Sequence, residues 1–234
     1  MSAETASVAG PQKEIKPKVF ISSSVNDLNY RKRFYDLFGK LYEIDSVAQG
    51  DVGTDSGTEY IQRLIQGNHI GIRTVLVVLV GKDTWGRKHI DWEISAALTK
   101  KTDGYSGLLG LCLPTHPAFR AIQYKTEIVP HRLVDNVKTG YAKFYDWSET
   151  EGDIRSWIKD AFQARITRAE KIDNSRPLYT DSWSSYANWP PTAPEAEPDV
   201  IEEAEDGIEE TADNTSEIYG ADEKNKKKDK SKKK

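Results

Sequence analysis

An α/β domain with an open, mainly parallel five-stranded sheet and helices on both faces is the fold this sequence predicts. Three observations predict it. Residues 74–80 and 106–113 are nearly unbroken apolar runs, as expected of central strands covered on both faces. Segments of helical period alternate with short β-branched or apolar segments along most of the chain. Polar, glycine-rich or serine-rich stretches follow the strands, where an open α/β sheet gathers its ligands.

Taken in order, residues 1–16 are small and polar, with prolines at 11 and 17 bracketing their end, and predict a disordered leader. Residues 18–24, KVFISSS, predict a first strand with a hydroxyl-rich C-terminal end. Asn26 or Asp27 caps a helix in which Leu28, Phe34, Leu37, Phe38 and Leu41 recur at helical spacing. A short second strand is expected within 42–48. Residues 49–58, QGDVGTDSGT, are a loop. Tyr60, Ile61, Leu64 and Ile65 then form a helical stripe, with Gly67 as its stop. The 74–80 strand is followed by a helix over 88–100, and the 106–113 strand is ended by Pro114.

Residues 114–142 contain three prolines and two histidines without a clear period and are expected to be mostly irregular. KFYDW, residues 143–147, predicts a fifth strand. Ile154, Trp157, Ile158, Phe162 and Ile166 mark a closing helix, so the domain spans 17–170. The aromatic and proline-rich stretch up to 194 is either a strap over the domain or the start of a tail. Between 195 and 223 there are thirteen acidic residues and no basic ones; eight lysines and one aspartate complete the chain. Such a segment buries too little apolar surface to order itself, so 195–234 is expected to be a disordered tail.

The tail also carries the net charge. The whole chain is at −4, but residues 1–194 are close to neutral, which argues against broad, charge-driven nucleic-acid binding. One cysteine, Cys112, excludes an internal disulfide and fits a reducing compartment. It lies in an apolar run and reads as a buried, inert thiol. No segment has the ~18 consecutive apolar residues of a membrane span, and the N-terminus has no apolar signal core. A cytoplasmic protein without a membrane anchor is expected.

The flavodoxin-like strand order reverses between the first and third strands. That reversal would bring Ser22, Ser23 and Ser24, with Asn26 just beyond, next to residues 81–87 and the start of the following helix. The 81–87 loop contributes Asp83, Trp85 and Arg87. Hydroxyls, a helix N-terminus, an arginine and glycine-rich backbone suit an anionic, sugar-containing ligand. At about 100° per residue, Ile90, Ile94, Ala97 and Leu98 form one stripe of the 88–100 helix. Glu93 then falls roughly 85° from the stripe's centre, Asp91 roughly 75° away on the other flank, and Trp92 nearly opposite. Glu93 thus sits at the edge of the buried face, on the order of 7–8 Å into the helix. Trp92 needs cover from another segment or another molecule.

On spacing alone these residues have plainer readings too. Glu93 fits a solvated charge or an i,i+4 partner of His89, and Trp85 and Trp92 fit ordinary packing. Arg87 fits a surface charge, and the serines fit caps on backbone groups. His69, His89, His116 and His131 show no metal-ligand spacing, so no metal is expected. GxxxxGK[ST], GxGxxG and GxSxG are all absent. The serines also occupy the place where a response-regulator receiver carries an acidic pair.

The segment IQRLIQGNHIGIRTVLVVLVGKDTWGRKHIDWEISAAL resembles the TIR-like domain, of flavodoxin-like fold, found in bacterial and archaeal proteins. It is similar in particular to the TIR subunit (ThsB) of Thoeris anti-phage systems. The resemblance rests on residues 75–81 and on Arg87, His89, Ile90, Trp92, Glu93 and Ile94. It covers about 17–170 and is strongest over 60–113. The first strand departs from the family, which often has F-S-[FY] where this chain has Ile21, Ser22 and Ser23.

The resemblance implies NAD⁺ as substrate, not as a bound cofactor, cleaved at the nicotinamide–ribose bond with Glu93 catalytic. Ser22, Ser23, Ser24, Asn26, Asp83, Trp85, Arg87 and Trp92 would bind it. The implied product is a cyclic or other ADP-ribose-derived signal, sensed by a downstream effector during antiviral defence. Self-association is implied as well, since TIR domains also act as assembly modules. A non-catalytic interaction module is therefore the alternative reading.

Overall fold

Five strands form one parallel sheet in the order β2-β1-β3-β4-β6 in a computed structural model that describes residues 16–46, 57–66, 74–183 and 200–204. They are β1 (Lys18–Ser23), β2 (Glu43–Asp45), β3 (Val75–Val80), β4 (Gly107–Cys112) and β6 (Lys143–Asp146). Every neighbouring pair is parallel; Phe20 stands opposite Leu76, and Leu76 opposite Leu108. The expected order is the observed one, and the reversal lies between β1 and β3.

The sheet is covered on both faces because alternate side chains of each strand feed different cores. Phe20, Leu76, Val78, Val80, Leu108, Cys112 and Phe144 pack with α2 (Gly57–Gln66), α3 (Lys88–Ala97) and α4 (His131–Lys138). Val19, Ile21, Val75, Val77, Leu79, Leu109, Leu111 and Tyr145 pack with α1 (Leu28–Phe38) and α5 (Glu151–Thr167). All six residues of β3 and of β4 are buried, which explains their unbroken apolar sequences. Burial raises the pKa of the Cys112 thiol, so it stays protonated.

Three differences from the sequence expectation are informative. The 114–142 stretch is irregular over most of its length, as expected, but it also holds β5 (Gln123–Lys125) and the helix α4. Leu133 and Val134 of α4 are buried and Val137 packs beside them, but an eight-residue helix offers too few turns to display a period. Arg132 and Asn136, polar yet fully buried, break the pattern further. Second, the 88–100 helix ends at Ala97 and is buried on every side from Ile90 to Leu98, so it has no solvated face.

Third, within the stretch expected to be a tail, β7 (Val200–Glu202) pairs antiparallel with β5. Its Ile201 is buried, and Ala204 N–H donates to the Phe144 carbonyl on the outer side of β6. That bond, with the one from Asp146 N–H to Glu203 Oε1, 3.1 Å, covers part of the otherwise open edge of β6. The expected leader over 1–15, most of the 49–58 loop, the Gly67 stop and the tail beyond 204 lie outside the described residues.

Residues 173–183 leave α5 and run across α3 and α4. Asn136 holds Asp173 at one end through Nδ2 to the Asp173 carbonyl, 2.7 Å, and Oδ1 from its N–H, 3.0 Å. At the other end Trp183 N–H donates to the Gly86 carbonyl, 2.7 Å. No helix among the described residues is long and apolar enough to cross a membrane.

Candidate active site

The first strand ends in Ser22 and Ser23 and leads into a short 3₁₀ turn, Val25–Asp27, capped by Ser24. Ser24 Oγ accepts from Asn26 N–H, 3.4 Å, so its hydroxyl serves the backbone. Ser22 and Ser23 are different: both Oγ atoms are buried without a hydrogen-bond partner. Across the reversal point, the loop after β3 is folded by Thr84, whose Oγ1 accepts from Gly81 N–H. Gly81 has to be glycine here, because a Cβ would lie 2.3 Å from Asp27 Oδ2. Asp27 itself is buried, held by Thr115 Oγ1 at 2.9 Å, and desolvation raises its pKa.

Glu93 projects from α3 toward the end of β1 and is 5% exposed. Tyr60 of α2 donates its hydroxyl to Glu93 Oε1, 3.2 Å. Burial pushes the carboxyl up to about 7, partly opposed by Ser22, by Tyr60 and by the positive charge of Arg31. Ser22 is thus near enough to favour the ionised form, although its hydroxyl does not reach full hydrogen-bond geometry. One helical turn earlier, His89 contacts the Ser23 carbonyl; burial lowers its pKa to about 4, so the ring is neutral. Ser22, Ser23, Tyr60, His89 and Glu93 therefore converge on the carboxyl end of β1.

The other expected site residues fall into separate places. Asn26 Nδ2 donates to Asp83 Oδ2, 2.6 Å, and Arg87 Nε to the Asp83 carbonyl, 3.2 Å. These three link the end of β1 to the loop before α3 and lie at the solvent-accessible rim of the reversal point. Trp85 is buried within that loop. Trp92 is buried as well, and a segment of the same chain provides its cover: its indole N–H donates to the Tyr179 carbonyl, 2.8 Å. The α3 N-terminus is also partly occupied, since Lys88 N–H donates to Ser182 Oγ. No group of three or more His, Cys, Asp or Glu among the described residues is placed to hold a metal.

Two features have no local sequence signal. Tyr60 reads as one apolar residue in a stripe; only its hydroxyl, which needs a partner when buried, hints at more. Asp91 and Arg132 form an ion pair of 2.8 Å with both side chains at most 2% exposed. Arg132 comes from the stretch in which no helix was expected, so nothing near Asp91 announces its partner.

Chemically, a water-poor carboxyl with a pKa near 7 is ionised or protonated in comparable amounts at neutral pH. That balance suits stabilisation of a developing positive charge or acceptance of a proton. The parallel sheet order defines a flavodoxin-like α/β domain. Residues 20–117, somewhat under half of the chain, match the family model of the Thoeris protein ThsB, TIR-like domain. This part of the chain is similar to that TIR-like domain. The match runs from β1 to just past β4 and includes Glu93. A comparison with curated proteins gives no match.

Proposed function

We propose that the domain cleaves NAD⁺ at the nicotinamide–ribose bond and yields an ADP-ribose-derived signal in antiviral defence. The observation that carries this reading is Glu93: a buried carboxyl, held near pKa 7, at the strand-order reversal of a TIR-like fold. In the reaction the C1′–N bond breaks and its electron pair goes to the nicotinamide nitrogen, which neutralises the ring. The ribose left behind is oxocarbenium-like. Ionised Glu93 stabilises that cation in a site where little water competes. An attacking water adds to C1′ and gives up its proton to the carboxylate or to solvent. If an adenine nitrogen attacks instead, the product is cyclic. Tyr60 orients the carboxylate, and Ser22 and Ser23 supply hydroxyls for the ribose. Asn26, Asp83 and Arg87 at the rim suit the more polar parts of the dinucleotide. The protein acts in the cytoplasm, and an effector that senses the product completes the pathway.

The test is turnover of NAD⁺ by purified full-length protein, with and without a phage-derived trigger, followed by mass spectrometry of the nucleotides. Glu93→Gln is expected to lower turnover by roughly 10²–10³-fold, in line with the loss of a central electrostatic group. Equal turnover by the wild type and the variant would remove Glu93 from the mechanism. The alternative of an assembly module draws on the charged tail and on a Trp92 in need of cover. That indole is buried against the same chain, which removes Trp92, though not the tail, as a ground for the alternative.

A further inference from the structure

Three consecutive residues of α3 face three directions, because each step turns about 100°. Glu93 points to Tyr60 and the end of β1. Asp91 and Trp92 point to the 173–183 segment and to α4. Asp91 Oδ2 accepts from Tyr179 N–H, 3.0 Å, and both its oxygens accept from Arg132. Arg132 spends its other donors on Asn174 Oδ1, 2.9 Å, and the Pro177 carbonyl, 3.1 Å. Trp92 donates to the Tyr179 carbonyl, so Tyr179's backbone is held by two adjacent α3 side chains. The Trp92 ring in turn packs on the Tyr60 ring, with centroids 5.5 Å apart. A continuous line of contact therefore runs from the Tyr179 backbone through Trp92 and Tyr60 to the Glu93 carboxyl.

Resting on the reading of Glu93 as the catalytic carboxylate, we propose that residues 174–183 form a positioning strap. Asp91 and Trp92 are its positioning residues on α3, and docking of the strap sets the rotation of the helix and hence the placement of Glu93. The segment is fixed at Arg132 and at Tyr179, and at its far end on Gly86 and Lys88. A helix held on one side only can roll about its axis. A roll of about 20° carries a side-chain tip, ~5 Å from the axis, by about 2 Å. Misplacement on that scale costs on the order of 10²-fold in rate. A buried ion pair is a poor source of net stability, so Asp91–Arg132 makes better sense as a device that fixes one arrangement.

Two variants of the full-length chain test this. Trp92→Phe keeps an aromatic ring but removes the N–H that holds Tyr179. Gly86→Ala leaves α3 untouched and puts a Cβ 2.6 Å from the Trp183 carbonyl oxygen, which displaces the strap's far end. Each is compared with wild type by kcat and KM for NAD⁺, by the pH profile of kcat, and by titration of the Glu93 carboxyl by NMR of ¹³C-labelled glutamate. Thermal unfolding controls for folding. Both are expected to lower kcat about tenfold or more with KM changed less than about twofold. Both should also move the Glu93 titration downward as water reaches the carboxyl. Folded variants with an unchanged titration overturn the strap, whatever their rates. If the titration moves but neither wild type nor variant cleaves NAD⁺, the strap stands and the proposed reaction falls. Because the two variants act at different points of the strap, its middle and its far end, failure of one to fold leaves the other decisive.

Discussion

The proton on Glu93 links the chemistry of the site to the stability of the fold. Burial holds the folded-state pKa at about 7, against an ordinary value of 4.5. Between those values the folded state keeps a proton that the unfolded state has released. Stability therefore falls as pH rises from about 4.5 to about 7 and is level on either side, a total loss on the order of 3 kcal/mol. Glu93→Gln cannot ionise. It is expected to match wild type in urea unfolding at pH 4 and to exceed it by on the order of 1–3 kcal/mol at pH 8. The proposed reaction has the opposite preference. If ionised Glu93 stabilises the oxocarbenium, kcat climbs through about pH 7 and reaches a plateau above it. Neutral His89, whose pKa is about 4, contributes no inflection in that range. A stopped assay at pH 5.5, 7 and 8.5 shows whether the single rise is present.

At the scale of elements, α3 packs on the sheet and α2 and is tied to α4 and to residues 173–183 by buried polar contacts. The Asp91–Arg132 pair is the main polar joint between those helices. Asp91→Ala would leave Arg132 charged and almost wholly buried, and removing one partner of such a pair costs about 3–5 kcal/mol. Chemical denaturation should show that loss, whereas disrupting the exposed Lys32–Asp36 pair of α1 should cost well under 1 kcal/mol. The periodicity of α3 was legible: it put Glu93 at the edge of the core and left Trp92 in need of cover. The source of that cover was not legible, because Tyr179 is far from Trp92 in the sequence and offers its backbone carbonyl. A backbone acceptor carries no residue-type signal. The helix α4 was missed for a related reason, since its buried face includes Arg132 and Asn136, whose partners are distant in the chain.

For the molecule as a whole, the layering of helix on sheet is set by close approach at a few points. At Gly107, the first residue of β4, a Cβ would stand 1.9 Å from the Ala161 carbonyl oxygen of α5. Gly107→Ala must push α5 off the sheet or bend β4. A loss on the order of 1–3 kcal/mol or more is expected in thermal or denaturant unfolding, typical of an overpacked core. Gly104, where nothing lies near an added Cβ but φ is +92°, is a useful contrast. Its cost would come from backbone strain alone.

The sequence by itself determined the class of fold, the strands at the centre of the sheet and the helix that carries Glu93. Those features follow from periodicity and from unbroken apolar runs, which are local properties of the chain. It also marked Ser22 and Ser23 as the polar end of β1. Only the tertiary structure decided that Tyr60 holds Glu93, that Asp91 pairs with Arg132, and that a segment beyond α5 covers Trp92. It alone set the Glu93 pKa near 7, because desolvation depends on what surrounds a carboxyl in space and not on what adjoins it in sequence.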